Sequence, residues 1–134
     1  MGMTVVRPVV IKAIVTEAFK KQYISDLEET VRRLDAVVQQ IDVQIRRAEL
    51  ERQLTPQMRA FRQQLEVERS RQEAARLELQ ARIKEAEGLE LNSEFSQGTI
   101  ESLVQLNVGD NFLTRLGRAE VVVKDGIVIE IREE

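Results

Sequence analysis

The chain contains no histidine, no cysteine and no tryptophan. Without imidazole or thiolate, soft-metal sites, thiol nucleophiles, histidine-activated serine or threonine nucleophiles and imidazole acid–base catalysis are excluded. No disulfide can form, so cysteine usage says nothing about the redox compartment. Aromatic residues make up 4% of the 134 positions, which argues against a large isotropic core and for an elongated chain, because aromatic side chains bury the most area per residue. No uninterrupted apolar run approaches the roughly 18 residues that would span a bilayer. Met1 to Val6 lacks the basic and apolar regions of a secretion signal, so a cytoplasmic protein with no membrane partner is expected. The net charge of -3 provides no global attraction to nucleic acid or anionic lipid.

Glycine is scarce and unevenly placed. None occurs between Met3 and Glu87, whereas five of the six fall from Gly88 onward. Glycine marks turns and caps, so a long turn-poor segment precedes a short turn-rich one. Before the turn-poor segment, Val9 to Val15 is rich in β-branched residues and reads as a strand, with Thr16 placed to cap a helix that carries Glu17 in its first turn. From there Ile24, Leu27, Val31, Leu34, Val38, Ile41, Ile45 and Ala48 alternate spacings of three and four, the heptad of a coiled coil. Leu54-Thr55-Pro56 interrupts it. Threonine is a good N-cap and proline is tolerated at the first helical position, so a second helix is expected from Pro56. Its stripe is Met58, Phe61, Leu65, then a polar stretch, then Ala75, Leu79, Ile83 and Ala86, with Gly88 as a left-handed cap.

If the chain folds back near Thr55, facing residues have numbers that add to about 110, and the two apolar series match on that basis. We therefore read an antiparallel hairpin, the alternative being a continuous rod that exchanges between chains. Opposite Val38 and Ile41 the second helix offers only Glu68, Arg69 and Gln72. That leaves two readings: a polar layer that sets register, or a surface of Val37, Val38 and Ile41 that meets another copy of the chain. We favour the second, hence a homo-oligomer.

In the tail, Gly98 to Leu106 is strand-like and Asp110 is placed to cap a short helical turn through Phe112 and Leu116. Glu120 to Lys124, Asp125-Gly126 and Ile127 to Arg132 read as a two-residue β-hairpin. The expected fold is α+β. A small, roughly four-stranded β module is built from both chain ends (residues 1–16 and 89–134), and a long helical hairpin (residues 17–88, turn near 54–56) projects from it. Phe19, Tyr23, Phe95 and Phe112 are expected at the base. A strand with a Val-Thr-Glu exit, a charged helical middle, then Gln-Gly-Thr-Ile-Glu-Ser-Leu-Val-Gln-Leu-Asn-Val-Gly-Asp and Val-Val-Val-Lys-Asp-Gly-Ile-Val-Ile-Glu-Ile-Arg resembles the bacterial YlqD family. The resemblance implies a cytosolic bacterial protein of undetermined activity, with no catalytic residues to carry over.

Chemistry is not announced elsewhere. Gly109, Gly117 and Gly126 lack the spacing of a phosphate loop, and Asp110 and Asp125 lack the alternating acids of a calcium loop. No catalytic, metal or cofactor site is expected. Charge is more informative: residues 17–87 hold fourteen basic and fourteen acidic side chains, while the segment from Gly88 holds nine acids and four bases. At the tip of the expected hairpin, Arg46, Arg47, Arg52, Arg59 and Arg62 outnumber Glu49 and Glu51. The reading is a non-enzymatic interaction or scaffolding protein that self-associates through its coiled coil and meets an unidentified protein partner. The alternative is an RNA- or ribosome-associated accessory factor that contacts phosphate through those arginines.

Overall fold

The computed structural model describes residues 1–50 and 55–133. In chain order the elements are β1 (Gly2–Ile14), α1 (Glu17–Glu49), α2 (Pro56–Glu87), β2 (Glu94–Asn107), α3 (Phe112–Arg115), β3 (Ala119–Lys124) and β4 (Ile127–Glu133). Two compact units result, one from Met1–Lys20 with Leu89–Glu134 and one from Lys21–Gly88. The class is α+β, with a four-stranded sheet from both chain ends and two long helices in a hairpin.

The sheet runs β2-β1-β3-β4 and is mixed: β1 is antiparallel to β2 and parallel to β3, and β3 is antiparallel to β4. β1 begins at Gly2 rather than Val9. Residues 2–8 pair only with β2, and β3 joins β1 from Val9 onward, so Pro8 lies where one side of its strand has no neighbour to receive a hydrogen bond. The β3–β4 turn has positive φ at both central residues, 49° at Asp125 and 83° at Gly126, the twist that two-residue hairpins need. Thr16 links this turn to α1. Its hydroxyl accepts from the Phe19 N–H at 3.0 Å, as a helix cap should, and donates to Asp125 Oδ1 at 2.7 Å.

Residues paired across the strands share a face. On one face Val9, Ala13 and Ala119 are buried. On the other, Val122 is buried, flanked in register by Lys12 and Glu130. The charges of that face converge on Arg132, whose guanidinium donates to Glu94 at 2.5 Å, Glu130 at 3.1 Å and Glu120 at 3.3 Å. Arg7 closes the opposite end: it donates to Ser102 Oγ, the Arg115 carbonyl and Glu133, at 3.3, 3.4 and 2.9 Å. Phe19 and Phe95 meet with ring centroids 5.7 Å apart, whereas Phe112 is exposed and stands outside that contact.

Two expected caps are placed differently. Gly88 has φ -88° and ψ -1°, so it ends α2 in a right-handed conformation, and the left-handed residue is Asn92 at φ 70°. From there the chain returns beside Val15 through Asn92 N–H to Val15 O at 2.7 Å and Val15 N–H to Ser93 O at 2.9 Å. Asn111, not Asp110, caps α3. Asp110 instead accepts from the Asn107 N–H at 2.8 Å, and that bond, with Arg115, holds its carboxyl below the usual range.

In the helical unit Thr55 caps α2, its hydroxyl accepting from the Met58 N–H at 3.2 Å. Among the described residues three ion pairs join the helices: Arg62 with Glu49 at 3.0 Å, Arg69 with Asp42 at 2.6 Å, and Arg76 with Asp35 at 3.0 Å. Both series step by seven residues, and the numbers of each pair add to 111, the register expected from the apolar stripes. Leu27, Val38, Ile41 and Ala48 of α1 are buried, and the rest of its heptad is half-buried. On α2 the inward positions are Met58, Arg62, Leu65, Arg69, Gln72, Arg76, Leu79, Ile83 and Ala86. The stripe departs from the expected one at Phe61, which is exposed while Arg62 turns inward; Ala75 is half-buried beside Arg76. Arginine recurs among the inward positions at a step of seven residues, Arg62, Arg69 and Arg76, its aliphatic stem serving the seam while its guanidinium reaches a carboxylate at the edge.

Ile41→Ala should destabilise the hairpin by about 2–5 kcal/mol, the range for truncating a buried isoleucine, measured by urea unfolding. Arg69→Glu should lower the melting temperature and the Arg69→Glu, Asp42→Arg exchange should recover much of the loss; no recovery would mean the register is wrong. Hydrogen bonding from Arg132, helped by Lys12, holds the Glu94 carboxyl below the usual range. Its stabilising contribution is complete above the unfolded-state pKa of about 4.3 and is lost as pH falls through the lower folded value. Thermal melts between pH 2 and 6 should accordingly show a shallower acid-side decline in Glu94→Gln than in the parent chain.

Candidate functional site

The end of α1 and the start of α2 lie side by side because the ladder runs out to the pair Arg62 and Glu49. Arg46 and Arg47 lie in the last turn of α1, where cations suit the helix dipole. The seam residue there is Ala48, too small to fill the space between the helices. What results is a groove of about 390 Å³ lined by Gln44, Arg47 and Ala48 of α1 and Gln57, Met58 and Phe61 of α2. Phe61, expected in the seam, is 52% exposed and forms part of the wall. The groove thus sets an aromatic ring and a thioether, both apolar, beside a guanidinium and two amides.

The five tip arginines divide. Arg62 is committed, held by Glu49 at 3.0 Å and Glu66 at 3.5 Å. Arg47 lines the groove. Arg46 and Arg59 are exposed, and among the described residues neither they nor Arg47 has a carboxylate partner. Arg52 lies outside the described residues. Of the three residues considered for self-association, Val38 and Ile41 are buried inside the hairpin and only Val37, 42% exposed, offers surface to another chain. The apolar gap inferred opposite Val38 and Ile41 is closed by the half-buried side chains of Glu68, Arg69 and Gln72, the polar layer that sets register.

Periodicity of apolar residues alone could not find the ladder or the groove, because a seam arginine counts as polar. The signal was present in another form: Asp35, Asp42 and Glu49 step by seven, as do Arg62, Arg69 and Arg76. Reading charge at heptad spacing would have moved Phe61 to the surface.

Among the described residues no three carboxylates converge closely enough to hold a metal ion. Among the described residues the carboxylates with shifted titration are Glu94 and Asp110, both displaced downward by hydrogen bonds. That direction favours the ionised form in a structural pair, so near neutral pH each carries no proton to donate and is a weaker base than an ordinary carboxylate. No helix among the described residues is long and apolar enough to cross a membrane.

Comparison with known proteins agrees with this architecture over nearly its whole length. The model of the YlqD protein family matches residues 3–132. The chain is 25% identical over 131 residues to the uncharacterized protein YlqD of Bacillus subtilis (strain 168), covering 98% of this chain and 99% of that one. A crystal structure of a protein of unknown function from Synechococcus sp. WH 8102 superposes with a TM-score of 0.81 at 23% identity, covering 99% of this chain and 96% of the other, and so shares the fold. With the family model matched from the first strand to the last, the chain belongs to the YlqD family.

Proposed function

We propose that the protein is a non-enzymatic, self-associating interaction protein that engages a partner protein through the groove at the hairpin tip. The observation that carries this reading is Phe61, half exposed, in one groove with Met58 and Arg47, which has no carboxylate partner among the described residues. Aromatic and arginine side chains are the residue types that dominate protein interfaces when they sit together in a pocket. Here the two helices hold them on a rigid scaffold. Arg46 and Arg59 extend the positive field around the groove. The partner segment that fits is acidic with at least one apolar side chain to insert against Phe61 and Met58. Self-association through the helical seam would have to use Val37 and its neighbours, because Val38 and Ile41 are taken up within the chain.

A second reading is favoured by the same exposure of Phe61: an aromatic ring beside arginines is also a platform for an unpaired base. Under that reading the chain is an RNA- or ribosome-associated accessory factor. Salt and nuclease separate the two. Tagged full chain, Phe61→Ala and Arg47→Glu should be used to capture partners from cells at low and at high salt, with and without ribonuclease. A protein partner predicts capture that survives nuclease, tolerates salt and is lost in both variants. An RNA partner predicts capture that nuclease abolishes and salt weakens steeply. Equal recovery by all three chains would overturn the tip as the site.

A further inference from the structure

The two edges of the sheet are not alike. β2 is an edge that cannot readily accept another strand. It carries Glu94, Ser96, Gln97, Thr99, Glu101, Ser102 and Gln105 alongside the exposed Ile100 and Leu103, and a bulge opposite Ile11 and Lys12 leaves Gln97 unpaired next to Gly98, whose φ is 151°. Charge, polarity and bulges are the devices by which sheets protect their edges. β4, the other edge, has the composition of an interior strand: Ile127, Val128, Ile129 and Ile131 are all between 54% and 69% exposed. Its own bulge, at Ile129 between the pairs Val123–Val128 and Val122–Glu130, leaves Glu130 to Glu133 in regular register with β3. In that regular stretch Ile131 is the one apolar residue, between Glu130 and Arg132, so a strand added there must match their charges.

We propose that the outer edge of β4 is the seam of a two-fold homodimer, in which β4 pairs antiparallel with β4 of a second copy about Ile131. This deepens the self-associating part of the function proposed above and rests on it, while being independent of the tip groove. The occupant is identified by charge. Opposed residues in an antiparallel pair share a face, so a two-fold axis between identical strands must pass through a residue. An axis at Glu130 would set two glutamates against each other, and one at Arg132 two arginines. An axis at Ile129 falls on the bulge and sets Val128 against Glu130. Only the axis at Ile131 places Glu130 opposite the partner's Arg132 twice, isoleucine opposite isoleucine, and no like charges across the seam. β4 is therefore complementary to itself in one register. The sheet gains from this closure, because among the described residues its own buried core is Val9, Ala13, Val15, Ala119 and Val122.

The chain's lack of cysteine supplies the test. Residues facing each other across an antiparallel pair have α-carbons about 4.5–5.5 Å apart, within disulfide reach. In the full chain, Ile131→Cys should oxidise to a covalent dimer about ten-fold or more faster than Leu103→Cys, which is exposed on the opposite edge strand. A seam of this size is at the small end of specific interfaces, so sedimentation should be run up to about 200 µM, where the parent chain should be dimeric. Glu130→Arg, folded by circular dichroism, should be monomeric there. A dimer that ignores Glu130→Arg and does not cross-link at Ile131 overturns the β4 seam while leaving self-association standing. A parent chain that stays monomeric overturns both.

Discussion

The seven-residue step shared by Asp35, Asp42 and Glu49 on one helix and Arg76, Arg69 and Arg62 on the other sets the register on which the helical unit depends. Each rung alone is a partly exposed ion pair of modest worth. Their combined effect is positional. In the observed register each seam arginine meets an acid whose number adds with its own to 111. A shift of three or four residues removes those partners, whereas a shift of a full heptad would set Arg62 against Asp42 and Arg69 against Asp35, so the pairs discriminate between turns and not between heptads. The same arginines supply aliphatic stems where the second helix has no apolar side chain to offer, which is why Val38 and Ile41 are buried by a helix that reads as polar at that level.

That choice has a consequence at the tip. Because Arg62 turns inward to Glu49, Phe61 is rotated onto the surface, and because Ala48 is small, the space beside it stays open. The groove with Arg47, Met58 and Phe61 is thus a by-product of how the register is enforced, placed on two rigid helices. The sheet shows a comparable division of labour. Arg132 and Arg7 gather its carboxylates and strand ends, one edge is mostly polar and broken by a bulge opposite Ile11 and Lys12, and the other exposes Ile127, Val128, Ile129 and Ile131.

Much of this was legible from the residues. The Thr16 and Thr55 caps, the start of the second helix at Pro56, the fold-back register and the Asp125-Gly126 turn rest on local rules in which one side chain or one φ value decides the outcome, and they stand where expected. The features that were misplaced depend on partners far away in the chain. β1 extends back to Gly2 because β2 is there to pair with it, which no window around Pro8 reveals. Val38 and Ile41 pass from a supposed interface to the interior because arginines, scored as polar, line the facing seam. Asn111 rather than Asp110 caps α3 because Asp110 is drawn to the Asn107 amide, a competition between adjacent residues that composition cannot rank.

The central claim is that the two long helices lie against each other within one chain in this register. Spin labels at positions 37 and 74, whose numbers also add to 111 and whose side chains are exposed, test it directly in full chain diluted with unlabelled protein. The hairpin predicts an intrachain distance under about 25 Å, whereas a continuous rod at 1.5 Å per residue would separate the labels by about 55 Å. The long distance would contradict the account.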